Sequence, residues 1–167
     1  MRSCRIILVL AAALLVMSGC AGERSETAVL SSHASVSAAP ERIASPTPAL
    51  FLEVGGRRLH AVPEDNPSAS AFLEKLSAAP LTLEMEEYGG FEKVADLPWS
   101  LPQSDERITT SPGDVILYQG DKLTLYYGQN TWTFTRLARV VGVSGEELRA
   151  LLGEGSARVK WFVEWSE

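Results

Sequence analysis

The sequence predicts a mainly β domain, a closed barrel or a sandwich, accompanied by two short helices. Three observations lead there. From Leu50 onward, short alternating or β-branched runs recur, about eight of them in roughly 118 residues. Glycine- and proline-rich turn signals separate the runs. Only two stretches carry helical start and stop signals, and both are short. Two such helices suit the open ends of a barrel. No internal repeat is visible.

The 167-residue chain opens on different material. Arg2 and Arg5 lie beside "IILVLAAALLVM", and "SGC" follows. A basic start, an apolar run and small residues before a cysteine read as an export signal. The apolar run is too short to span a bilayer comfortably. "VMSGCAG" resembles a bacterial lipobox. The resemblance implies removal of residues 1–19 and lipidation of Cys20 on its thiol and new amino group. The competing reading is an ordinary signal peptide with an incidental cysteine. Cys4 and Cys20 are the only cysteines, so the mature chain has no intramolecular disulfide.

Charge narrows the partners. Loss of Arg2 and Arg5 leaves 13 basic residues of 15 against 21 acids, a net charge of about −8. Nucleic acid is therefore not an expected partner, since phosphate contacts need clustered Lys and Arg. The membrane is a partner through lipid, not through a basic patch. The expected location is the bacterial cell envelope, in the cell membrane or the outer membrane. Ala21 stands where an aspartate would mark inner-membrane retention, which leans toward the outer membrane.

Residues 20–49 carry the lipidated cysteine and a Ser-, Ala- and Pro-rich stretch with no sustained periodicity, a flexible tether. His33 falls there as a solvated side chain. The domain occupies residues 50–167. "LFLEV" and "RRLHAV" are strands separated by Gly55-Gly56, a two-residue hairpin signal. In "DNPSASAFLEKLSAAP", Asp65 or Asn66 can cap a helix, Pro67 suits its first turn and Pro80 ends it. "LTLEMEEY" alternates, with Leu81, Leu83 and Met85 on one side and Thr82, Glu84 and Glu86 on the other. Residues 88–112 read as a long irregular segment. "DVILYQG" and "DKLTLYYG" are strands around a turn at Gly120-Asp121. "TWTFTRLARVVG" is β-rich, with a bend expected near Thr135. "SGEELRALLG" is a helix with a capping box, Ser144 with Glu147, and Gly153 as its stop. "ARVKWFVEW" closes the chain with Ala157, Val159, Trp161, Val163 and Trp165 on one face.

Several stretches together resemble the small bacterial cyclophilin-like proteins: "DNPSASAFLEKL", "PLTLEMEEYGGFEKVADLP", "PGDVILYQGDKLTLYYG" and "RLARVVG". The resemblance covers residues 50–165. It implies a closed eight-stranded cyclophilin-like β-barrel capped by two short helices, here behind a lipid anchor. Cyclophilin isomerases use an arginine beside a phenylalanine in an apolar cleft. The chain has no Phe-His-x-x-Arg stretch, and its only domain histidine is His60. Arg107, Arg136 and Arg139 are possible substitutes.

The candidate ligand site is the segment after "LTLEME". Tyr88, Phe91, Glu92, Lys93 and Trp99, with Tyr118, Tyr126 and Tyr127, would wall an aromatic cleft in which Glu92 or Lys93 hydrogen-bonds a small molecule or peptide. The competing reading is structural. Gly89 and Gly90 then supply backbone angles closed to other residues. Glu92 and Lys93 satisfy backbone groups or pair with each other, and Tyr88 and Trp99 cover the core. Glu84 and Glu86 share a strand face, where carboxylates serve acid–base work or a hard cation, or are simply solvated. Glu146 and Glu147 suit the start of a helix dipole. Trp132 and Phe134 fill the barrel or line a cleft mouth. Two distant histidines and no free cysteine make no zinc set. Neither a nucleophile elbow nor a phosphate-binding loop is present, so no catalytic residue, cofactor or metal is implied. Three functions follow: a membrane-anchored binding module, a prolyl isomerase with a non-standard site, or a structural or partner-binding lipoprotein.

Overall fold

The computed structural model describes residues 47–166. The expected export signal, Cys20 and most of the expected tether lie outside the described residues. The first strand, β1 (Thr47–Val54), begins three residues before the expected Leu50 and turns at Gly55-Gly56 into β2 (Arg57–Pro63). Both glycines have positive φ, +57° and +74°, as a two-residue hairpin requires. Of the two capping candidates, Asn66 serves: its carboxamide oxygen accepts from Ala69 N at 2.8 Å and starts α1 (Pro67–Ala78). The Asn66 amide also donates to the Arg136 carbonyl, which ties the helix to the barrel wall.

β3 (Leu81–Tyr88) and β4 (Glu92–Asp96) form a hairpin around Gly89-Gly90. β5 (Glu106–Thr109), β6 (Asp114–Tyr118), β7 (Lys122–Tyr126) and β8 (Thr131–Val141) follow. α2 (Gly145–Leu152) begins on the expected capping box, with Ser144 and Glu147 bonded reciprocally. β9 (Ala157–Ser166) completes the described chain.

Eight strands close in the order β2-β1-β9-β3-β4-β7-β6-β8, and β8 pairs back to β2. Every pairing is antiparallel. Closure leaves the ring no open edge. Leu50, Leu52, Met85, Leu123, Leu125 and Val159 project inward from it, and Phe72 and Leu76 of α1 join Leu148 and Leu152 of α2 in the same core. Trp161 is wholly enclosed there, with Phe72 edge-on 6.1 Å away. A ring that closes and fills within the described residues is a self-contained folding unit.

Two expectations need correction. The 88–112 segment is not irregular throughout, because it holds β4 and β5. β5 lies outside the ring, paired to the first residues of β8. The bend expected near Thr135 takes the form of a bulge just after it in β8, opposite Val115 and Ile116, which turns both Leu137 and Ala138 inward. Ala157, Val159 and Trp161 do fill the barrel, but Val163 is half-buried and Trp165 is 53% exposed.

Candidate functional site

Side chains alternate across a strand, so the wall that faces the core with one set presents the other set outward. On the outward face of β3, β4, β7, β6 and β8 lies a groove of about 710 Å³. Strand register builds it. Tyr88 lies directly opposite Glu92, and Glu92 directly opposite Tyr126, so three strands contribute one continuous row. Glu86, Val94 and Thr124 form the next row. Asp96 and Lys122 face each other in the one after that. Tyr118 and Phe134 stand at the β6–β8 side, their rings 6.0 Å apart, and Trp132 rises at the rim.

The hairpin that carries Tyr88 and Glu92 depends on its glycines. Gly89 and Gly90 hold φ of +64° and +73°. A side chain at Gly89 would bring its Cβ within 2.3 Å of the Phe91 ring. Phe91 in turn stacks at 6.0 Å and 10° on Tyr126, and its carbonyl accepts from both Tyr127 N and Gly128 N at 2.9 Å. The turn is thus locked to β7, and the Tyr126 ring is held against its neighbours.

Glu92 is the chemically unusual group. It is only 6% exposed, and its Oε2 is buried with no hydrogen-bond partner. Burial pushes its carboxyl above the ordinary range, and a hydrogen bond with the Tyr126 phenol draws it partly back. The same burial, followed by the Glu92 carboxyl, drives the Tyr126 phenol well above its usual range. Tyr126 therefore stays protonated at any ordinary pH, with the Asn130 and Thr124 side chains as further hydrogen-bonding neighbours. A buried acceptor left open costs on the order of 1–3 kcal/mol. Such an orphaned acceptor calls for an explanation, and a ligand or water bound in the groove supplies one.

The expected site residues divide. Tyr88, Glu92, Tyr118 and Tyr126 all line the groove. Phe91 lies beneath it, as the support for Tyr126. Lys93 and Trp99 are elsewhere. Parity puts Lys93 on the inner side of β4, fully enclosed. Its ammonium donates to the carbonyls of Gly153 and Gly155 and faces Glu87 at 3.4 Å. The structural alternative for this residue is the one realised, with a partner loop 60 residues away. Trp99 packs edge-on against Phe72 at the core. Tyr127 also faces the core.

Thr124, Asn130 and Lys122 line the groove without having been anticipated. Once β4 is recognised as a strand, the parity of "EKVAD" against "KLTLY" identifies the lining positions. Glu84 and Glu86 also reach the groove. Glu84 pairs with Arg158, and Lys122 pairs with Asp96 at 2.8 Å. Among the described residues no cluster of acidic, histidine or cysteine side chains could hold a metal ion.

The arginines considered for an isomerase lie away from the groove. Arg136 and Arg139 both bind the buried Asp114, at 3.2 and 2.8 Å. Arg107 is exposed on β5. A model of the cyclophilin-like family matches residues 52–162. No curated protein and no solved structure gives a significant match.

Proposed function

The chain belongs to the cyclophilin-like family, and on that premise we propose that it is an envelope lipoprotein whose barrel binds a small molecule or a short peptide in the outer groove. The observation that carries the reading is the open Oε2 of Glu92, buried at the floor of an aromatic-walled groove. A concavity with aromatic walls and oriented polar groups is a usual form of a ligand site. Tyr126, Asn130 and Thr124 give that floor both donors and acceptors. Prolyl isomerase activity finds no support among the described groove residues, none of which is an arginine.

The test is a thermal-shift screen of residues 43–167 against small polar and peptidic compounds, with hits mapped by amide chemical shifts. Binding should move the amides of Glu92, Thr124 and Tyr126. If no compound moves them, or if hits map to another face, the groove is not the binding site. The anchor is tested separately by metabolic palmitate labelling of the full chain. Label that persists in Cys20→Ser rules out Cys20 as the lipidated residue. A proline-isomerisation assay should stay at the uncatalysed rate.

A further inference from the structure

We propose that the groove takes an organic ammonium ion, supplied either as a free alkylamine or as a lysine side chain on a peptide. This rests on the reading of the groove as a ligand site and specifies the charge and shape of what enters it.

Charge balance is the first argument. Four carboxylates face the groove: Glu84, Glu86, Glu92 and Asp96. Two of them are neutralised in place, Glu84 by Arg158 and Asp96 by Lys122. Among the described residues Glu86 and Glu92 have no ion-pair partner. The unoccupied groove therefore holds a local excess of negative charge, which an anionic ligand would meet as repulsion.

The second argument is Glu92 itself. Its Oε2 is buried and unpartnered inside the groove. An N–H donor carrying positive charge completes that oxygen with a charge-assisted hydrogen bond, roughly twice as strong as a neutral one. It also relieves the desolvation that burdens the carboxyl.

The third argument is the wall. Tyr88 and Trp132 remain 63% and 55% exposed, large aromatic surfaces standing over an acidic floor. Aromatic faces attract ammonium groups, and the attraction grows as water is excluded. Val94 and Phe134 offer apolar contact for a methylene chain. A metal ion is the poorer occupant, since no three ligating side chains converge among the described residues.

Residues 43–167 are titrated, by calorimetry and by amide shifts, with n-butylammonium and with its neutral counterpart 1-butanol. A second arm uses Nα-acetyl-lysine N-methylamide and its Nε-acetylated form. The cation of each pair should bind at least about tenfold more tightly than its neutral match. Glu92→Gln should remove about tenfold of that preference, read as the ratio of cation to neutral affinity in the same protein. If Glu92→Gln does not fold, Glu86→Gln provides the same comparison, with a loss of about twofold to fivefold. Binding of butylammonium alone identifies free amines as the source, and binding of the lysine amide alone identifies a peptide; either supports the proposal. Equal or tighter binding of the neutral compounds overturns the ammonium inference while the groove stands as a ligand site. Failure of all four probes to move groove amides overturns the ammonium inference, and the groove as a ligand site then falls only if the broader screen also moves none of its amides.

Discussion

Replacing Lys93 with methionine separates a staple from a ligand contact. The ammonium is enclosed and donates to the carbonyls of Gly153 and Gly155, on the loop between α2 and β9, with Glu87 at 3.4 Å. A hydrogen bond from a charged group contributes about 1.5–3 kcal/mol, so two bring about 3–6 kcal/mol. Two effects offset this. Gly153 and Gly155 are exposed residues, so their carbonyls can turn to water. Methionine also removes the cost of keeping a charge out of solvent. The net expectation for Lys93→Met is a loss of about 2–4 kcal/mol. In urea that lowers the unfolding midpoint of residues 43–167 by roughly 1–2 M for a slope of about 2 kcal/mol/M. Amide exchange around Gly153 to Gly155 should accelerate beyond the global change. Affinity for a groove ligand, measured where the variant is folded, should stay within about twofold of the parent, because Lys93 faces the other way. An unchanged or raised midpoint would refute the staple. A selective loss of ligand affinity would return Lys93 to the binding site.

Asp114→Ala should cost about 3–5 kcal/mol in the same urea assay, since it strips Arg136 and Arg139 of one buried carboxylate; a loss under about 1 kcal/mol would contradict that role. Ser144→Ala removes the reciprocal cap of α2 and should cost about 1 kcal/mol, read as a lower melting temperature. Glu92 gives a signed pH dependence. Its folded carboxyl lies above the ordinary 4.5, so the folded state holds a proton that the unfolded state releases. The contribution of Glu92 to stability is then greatest below 4.5 and falls as pH rises through the raised folded value. Glu92→Gln should flatten that fall, and parallel pH profiles for the two proteins would sink the assignment.

Local features were readable and distant ones were not. The hairpin at Gly55-Gly56, the cap at Asn66 and the box of Ser144 with Glu147 all depend on residues within a few positions of one another. The strand at Glu92–Asp96 hid because its first two residues are a carboxylate and an ammonium, a poor β signal. Both are buried for reasons that lie far along the chain, at Tyr126 and at Gly153. The groove was half legible: the aromatic and acidic residues were marked, but which strands lie side by side is a property of register. Without β4 in place, Lys93 and Glu92 looked like neighbours in one cleft, whereas adjacent positions on a strand look in opposite directions. Trp165 was misplaced because alternation says which side a residue faces, not how far the barrel extends.

One consequence follows from the core and the groove being the two sides of the same strands. In β4 and β7 the odd positions Lys93, Leu123 and Leu125 hold the protein together, while the even positions Glu92, Val94, Thr124 and Tyr126 meet whatever arrives from outside. A library that varies the exposed Glu86, Tyr88 and Trp132 therefore explores new specificities at little risk to folding. A single inserted residue within β4 has the opposite outcome: it exchanges the two sets, expelling Lys93 and drawing Val94 inward. Such a wall tolerates new letters far better than a change of length.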